Sequence, residues 1–344
     1  MYVSSITRGS RLNQGPRPTA PASSASKSSS SVEESFRSQL PQSMSDEEPL
    51  HDTSGDISSE FGEPLPVSYN TRDLIIYALG IGCNELKYVY EDDMDFAAFP
   101  TYPIVLAFKG TDTDVLTFPS PAMATQDMVM LPGFKTVLDG ERYIEMLNPL
   151  PTEPTELFLK SKNIGVHQKG KGGLVESESI LVDSSGKVYY RFISGAFYVG
   201  AKGFTDSGVT HSASITPPQR APDAVEEQTT GPFQTHLYRL SGDYNPLHID
   251  PDMAVGMGFK EPILHGLCSL GHAARACLKA FGDNDPTNFK ALKLRFASPV
   301  LPGQTLVTSM WKDGPKVIFE TKVKETGKVV INNAFFELAT GSKL

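Results

Sequence analysis

Long apolar runs are missing from this 344-residue chain; its most hydrophobic stretches, such as Leu74 to Leu79, are a few residues long. A membrane-spanning helix needs roughly 18 or more consecutive apolar residues, so no span is assigned. Cysteine is scarce as well. Cys83, Cys268 and Cys277 are far apart and odd in number, which leaves no C-x-x-C pair and no disulfide framework; buried, reduced thiols are expected instead. Positive charge is in deficit, with 31 Lys and Arg against 40 Asp and Glu for a net charge of −9. That balance argues against nucleic acid as a partner. A phosphate-bearing ligand would need a local basic patch, because the bulk charge does not attract it.

The first 65 residues are rich in Ser, Pro and Gln and poor in aromatics. Such a segment buries too little apolar surface to offset its ordering entropy, so 1–65 is read as a disordered tail. Residues 1–66 hold nine acids and five bases, or −4, which leaves −5 for the remainder. Ahead of Glu33 the tail carries Arg8, Arg11, Arg17 and Lys27 and no acid. That bias is shared with mitochondrial transit peptides, but no apolar face at helical spacing accompanies it. From about Pro64 the texture changes. Thr71–Leu79 reads as a short helix with Thr71 as N-cap and Gly80 and Gly82 ending it. The stretch from there to Leu150 gives no clear pattern.

Further on, an internal repeat emerges. Pro149-Leu-Pro-Thr-Glu-Pro-Thr-Glu-Leu157 and Pro299-Val-Leu-Pro-Gly-Gln-Thr-Leu306 open strands in similar wording, and Ser185-Gly-Lys-Val188 matches Thr326-Gly-Lys-Val329. The spacing predicts two antiparallel meanders, over 155–163, 173–182 and 187–198 and over 304–311, 316–325 and 328–338. Asp313-Gly314 forms a tight turn in the second. Two such copies, each with its helical content upstream, imply an α+β fold of two similar subdomains, at 66–215 and 216–341.

Between the meanders lies Tyr238-Arg-Leu-Ser-Gly-Asp-Tyr-Asn-Pro-Leu-His-Ile-Asp250. Gly242 and Asn245-Pro246 force a loop, so Asp243, Asn245 and His248 can converge on one point. A carboxylate and an imidazole facing one site can position a water and move protons in both directions near neutral pH. The plainer reading gives Asp243 and Asn245 Asx turns and makes His248 a packing residue. Downstream, Leu267, Leu270, Ala274, Cys277, Leu278 and Phe281 recur at helical spacing, which predicts a mostly buried helix over 266–281. Its first N–H groups, near Gly266, lack intrahelical acceptors and suit an oxygen gaining negative charge. His265-Gly266 is equally compatible with a helix start that holds no ligand. A metal site is not expected, because no further His or Cys stands at ligand spacing within the motif. Lys169-Gly-Lys-Gly-Gly173 lacks the ending of a nucleotide loop and reads as a basic hairpin turn, with contact to a ligand phosphate as a secondary role.

Tyr238–His248, followed by Pro262-Ile-Leu-His-Gly-Leu267, resembles the signature of type-2 enoyl-CoA hydratases of the MaoC-like, hotdog-fold group. Arg295-Phe-Ala, Pro302-Gly-Gln-Thr and Met310-Trp311 extend the likeness. Tyr69-Asn-Thr-Arg-Asp, Leu86-Lys-Tyr-Val89 and Val137-Leu-Asp-Gly140 resemble the non-catalytic hotdog of that family. The resemblance implies two hotdogs in one chain, each a curved antiparallel sheet around a central helix, with only the second armed. It implies reversible syn addition of water to a trans-2-enoyl-CoA, giving a (3R)-3-hydroxyacyl-CoA, without a cofactor. Asp243 and His248 would activate the water, Asn245 would orient them, and the Gly266 N–H would bond the thioester oxygen. Asp139, Gly140, Lys169, Tyr244, Pro246, Leu247 and Phe296 would line the acyl-CoA; where this chain has Asp139, His is expected in animal relatives, which sets the Asp139 contact apart from the rest. A homodimer is implied too. A hotdog thioesterase and a non-catalytic acyl-CoA-binding module are the alternatives. The tripeptide Ser342-Lys343-Leu344 reads as a peroxisomal address, recognised by an import receptor.

Overall fold

The computed structural model describes residues 50–124 and 128–339. The bulk of the expected tail and the Ser342-Lys343-Leu344 signal lie outside the described residues. The eleven strands are β1 (Leu65–Tyr69), β2 (Thr136–Met146), β3 (Thr155–Lys169), β4 (Gly172–Val182), β5 (Val188–Val199), β6 (Ser207–Gly208), β7 (Ala224–Thr229), β8 (Phe289–Phe296), β9 (Thr305–Asp313), β10 (Lys316–Val323) and β11 (Val329–Leu338). The α-helices are α1 (Thr71–Gly80), α2 (Leu86–Val89), α3 (Leu106–Lys109), α4 (Pro121–Ala124), α5 (Gln234–Tyr238), α6 (Pro251–Gly256) and α7 (Gly266–Phe281).

All strands join one antiparallel sheet in the order β1-β3-β4-β5-β2-β8-β11-β10-β9-β7, with β6 beside β3. Read inward from each edge, the two halves are the same: β1-β3-β4-β5-β2 and β7-β9-β10-β11-β8. The repeat in the sequence is thus a repeat in topology. The halves meet where β2 pairs with β8, Glu141 opposite Arg295 and Glu145 opposite Ala291. Each half places its helices between its edge strand and its central strand, as the order of motifs in the chain requires.

Helix α1 begins one residue earlier than Thr71 suggests. Asn70 is its N-cap, accepting the Asp73 N–H at 3.2 Å while the Asp73 carboxylate takes the Asn70 N–H at 3.0 Å. This reciprocal pair satisfies two amide groups at once, which a Thr cap at 71 would not. Helix α7 spans Gly266–Phe281, the predicted range. It crosses the end of α1 so closely that a Cβ on Gly271 would overlap the Ile81 side chain, and Cys268 Sγ reaches the Gly80 carbonyl at 3.3 Å. One apolar core runs through both halves, from Leu74 and Tyr77 to Leu270, Cys277 and Phe319.

Residues 50–64 correct the expected tail boundary at 65. Thr53 is fully buried, with its hydroxyl on the Thr205 carbonyl at 2.8 Å, and the Ser58 and Gly62 amides bond the carbonyls of Asn163 and Ser161. The segment is polar, but its backbone groups are satisfied along β3, so it needs little apolar surface of its own to hold its place.

One consequence is measurable. His272 on α7 is 3% exposed, bonds Gln228 Oε1 through Nδ1 at 2.8 Å, and is pushed down to about 3 by burial, with Arg275 adding to the fall. Unfolded, it titrates near ~6.5. Its neutral form therefore supports folding fully above that value, and the support drains as pH falls from there toward about 3, at about 1.4 kcal/mol per pH unit. Thermal melts from pH 7 to 4 are expected to show this slope lessened in His272→Asn, and an unchanged slope would remove His272 from the account.

Candidate active site

The motif loop folds by local rules. Gly242 takes φ +126°, a conformation open to glycine, and turns the chain after a 3-10 turn at Arg239–Ser241. Asn245 caps the next 3-10 turn, Pro246–His248, by accepting the Leu247 N–H at 3.0 Å, and its own N–H donates to Asp243 Oδ1 at 3.3 Å. Asp250 then caps α6, accepting the Asp252 N–H at 2.9 Å. One Asx turn and two Asx caps within eight residues hold Asp243 and His248 in place.

Asp243 and His248 are both buried, each 8% exposed. His248 Nδ1 lies 2.8 Å from the Ile263 carbonyl. A carbonyl only accepts, so Nδ1 carries the proton and Nε2 is left for chemistry. Beneath His248 lies His265, fully buried, its ring stacked at 3.8 Å and 28° and its Nε2 donating to the Asp243 carbonyl at 3.1 Å. Ligand atoms of Asp243, His248 and His265 fall within 4.8 Å of one another, and this is the group among the described residues able to chelate an ion. Two of its ring nitrogens already serve carbonyl groups.

Burial acts on the two members of the couple in opposite directions. Burial raises the Asp243 carboxyl, opposed by the His248 charge, the Asn245 N–H and Arg142. Burial lowers His248, opposed by Asp243 and the Ile263 carbonyl. His265 is pushed well down, chiefly by burial and then by His248. A carboxyl pushed up beside an imidazole pushed down brings their proton affinities together, which suits transfer in both directions.

Gly266 opens α7 just after His265, and no side chain caps that end. The Phe296 ring covers it, 3.3–3.4 Å from where a Cβ would stand, so only glycine leaves room for a ligand against the backbone. Tyr244 lines the same loop, with Arg239 stacked 5.0 Å from its ring centre and its hydroxyl 3.5 Å from the Asp114 carbonyl.

The first half contributes as well. Asp139 stands on β2 before a bulge centred on Gly140, where any Cβ would come within 2.8 Å of the Gly195 carbonyl. Asp139 keeps a third of its side chain in solvent. Surrounding protein raises its carboxyl, Arg142 opposes the rise and Asp243 adds to it, while the solvent tempers the whole. Arg142 Nε holds both Asp139 oxygens at 2.9 and 3.0 Å.

Asp243, Tyr244, Asn245, Pro246, Leu247 and His248 thus share one loop, His265 and Gly266 stand against it and Phe296 covers Gly266, while Asp139 and Gly140 lie on β2 of the first half. Lys169 does not join the catalytic couple; it ends β3, and its charge is felt by Lys293. A cavity of about 280 Å³ beside Lys293, walled by Glu141, Glu176, Arg191 and His211, includes neither Asp243 nor His248. One residue at the couple escapes sequence reasoning: His265 is visible there only as a helix start, yet its ring lies against His248 and its Nε2 serves the Asp243 carbonyl.

Residues 67–200 match the MFE-2 hydratase 2 N-terminal domain family, and residues 213–334 match the MaoC like domain family. Enoyl-CoA hydratase 2, peroxisomal, of Arabidopsis thaliana is 40% identical over 278 residues, covering 77% of this chain and 88% of that one. The chain belongs to the MaoC-like hydratase 2 family. The crystal structure of a MaoC-like dehydratase from Phytophthora capsici superposes with a TM-score of 0.77 at 42% identity, over 83% of this chain and 98% of that one. The architecture of this hydratase 2 relative is accordingly a double hotdog. Peroxisomal multifunctional enzyme type 2 of Drosophila melanogaster is 44% identical over 281 residues, 78% of this chain. The chain spans less than half the length of that multifunctional relative, 46%. Among the described residues no helix is long and apolar enough to cross a membrane.

Proposed function

We propose that this chain hydrates trans-2-enoyl-CoA reversibly to (3R)-3-hydroxyacyl-CoA, within peroxisomal fatty-acid β-oxidation. The observation that carries the reading is the buried Asp243–His248 couple set beside the uncapped start of α7 at Gly266. In hydration, the couple holds a water and removes its proton as the oxygen bonds C3. The C2=C3 electron pair shifts toward the thioester, whose oxygen gains charge. The Gly266 N–H receives that charge, a contact worth about 3–4 kcal/mol in comparable oxyanion sites. The other member of the couple then protonates C2 from the same face, so the couple's proton count is restored.

Tyr244, Pro246, Leu247 and Phe296 serve as the walls along the thioester. Asp139, Gly140 and Lys169 are assigned to the CoA side, and the chain is assigned to a homodimer. The peroxisomal setting draws on the names of the relatives.

Given trans-2-decenoyl-CoA, the purified protein is expected to consume the conjugated enoyl absorbance and yield the 3R alcohol on chiral analysis. Exclusive 3S product overturns the stereochemistry. Release of free CoA without hydroxyacyl-CoA points instead to a thioesterase.

A further inference from the structure

The catalytic couple and the oxyanion donor come from different parts of the chain, and one short segment, residues 263–266, joins them. The Ile263 carbonyl takes the His248 Nδ1 proton at 2.8 Å, the Leu264 N–H is fixed on the Val300 carbonyl at 2.7 Å, and Gly266 starts α7. Between them stands His265, which touches both members of the couple. Its Nε2 donates to the Asp243 carbonyl at 3.1 Å, and its ring lies 3.8 Å from that of His248, tilted by 28°. The Tyr238 ring backs it at 4.9 Å, and Tyr77 of α1 stands 6.0 Å from Tyr238. All three rings are fully buried, so an aromatic column runs from the first helix to the catalytic imidazole.

Packing alone does not account for a histidine here. With the proton on Nε2, Nδ1 is a bare buried acceptor that finds no protein donor among the described residues. Such a group costs stability, and Leu or Phe would fill the space without it. Neither of those side chains offers an N–H to the Asp243 carbonyl together with a flat face to His248. Burial also keeps His265 neutral, so it sets no second charge against His248 when that ring takes up a proton.

We propose that His265 is a positioning residue for the reaction: its N–H fixes the Asp243 peptide and its ring fixes the plane of His248, so the couple keeps one setting relative to the Gly266 N–H. It acts through the two groups it holds. The stacked imidazoles carry opposite tautomers, Nδ1–H on His248 and Nε2–H on His265, each set by the carbonyl it serves.

The inference rests on the hydration reading above, and two variants separate the contacts. His265→Phe keeps a ring against His248 and loses the N–H; His265→Gln keeps an amide N–H for the Asp243 carbonyl and loses the ring. In His265→Phe, kcat is expected to fall on the order of 10²-fold, as for a reacting group displaced by ~1 Å, with KM within about twofold of wild type. His265→Gln is expected to recover about five- to tenfold of that loss, the effect of one hydrogen bond. A kcat per folded site within about threefold of wild type in both variants, whatever the change in Tm, overturns the positioning role. Ring-nitrogen NMR of the ligand-free protein, with His248 assigned through His248→Gln and His265 through its contact with that ring, reads the tautomers without turnover. They are expected to be opposite in wild type. The His248 ring protons, shielded by the stacked ring, are expected to move downfield in His265→Gln and to hold their place in His265→Phe. Matching tautomers in wild type, or His248 signals that ignore the loss of the ring, overturn the arrangement. A wild type that fails to hydrate enoyl-CoA while these signals behave as described overturns the hydration reading and leaves the hold of His265 on His248 intact.

Discussion

Asp243→Asn and His248→Gln are each expected to lower kcat by about 10²- to 10⁴-fold while leaving the melting temperature near that of wild type. The substitutions keep polar groups of similar size in place, so the Asn245 cap and the Ile263 carbonyl retain partners and the loop keeps its course. What disappears is the exchange of a proton between a carboxyl raised by burial and an imidazole lowered by it. Because the two act as one unit, the double variant is expected to fall little below the worse single one. Steady-state hydration assays beside thermal melts check this. Either variant keeping more than about a tenth of wild-type kcat would falsify the roles assigned.

Gly242→Ala is expected to have the second large effect, and on both stability and rate. At φ +126° the residue adopts a conformation that side chains rarely take, and a Cβ there would stand 2.8 Å from Lys109 Cβ and 3.1 Å from Lys109 N. Lys109 cannot yield easily. Its ammonium donates to the Ser68 carbonyl at 2.8 Å and pairs with Asp73 at 3.4 Å, all in a buried setting. Strain of this kind costs about 1–3 kcal/mol before the clash is added. The neighbour displaced by any relief is Asp243, and a shift of ~1 Å in a reacting group costs on the order of 10²-fold in rate. Gly258→Ala supplies the comparison. That glycine also has a positive φ, +87°, but nothing lies within 4 Å of its Cβ position. It should lose stability through strain alone, with kcat little changed. Equal losses of kcat in the two variants would show that loop strain, not the placement of Asp243, is what matters.

Legibility in the sequence followed the range of the interactions involved. The second meander was readable to within a few residues because alternation and the Asp313-Gly314 turn are local, and β9, β10 and β11 lie where they were predicted. Helix α7 was equally plain, since its apolar positions repeat at helical spacing over sixteen residues. The stretch from residue 80 to 150 was not readable. Its described residues contain three short helices and a 3-10 turn, none long enough to show periodicity, then a strand whose alternation is broken at Gly140. The convergence of Asp243 and His248 is legible because only four residues, 244 to 247, lie between them. The place of His265 is not, because only the fold brings its ring against His248 and its Nε2 to the Asp243 carbonyl. The ordered course of residues 50–64 is hidden in the sequence for a similar reason. Thr53 is held by Thr205 and Ser207, partners that composition cannot reveal.

The seam between β2 and β8 bears on descent. Cut out alone, either half would present a bare edge at its central strand, Glu141–Glu145 on one side or Ala291–Arg295 on the other, and an unpaired edge of that length invites a partner. An ancestral single half would have met that need with a second copy of itself, and such a twofold pair carries two equivalent sites. Joining the copies in one polypeptide makes the pairing permanent and frees the halves to diverge. One half can then give up its motif and keep the seam.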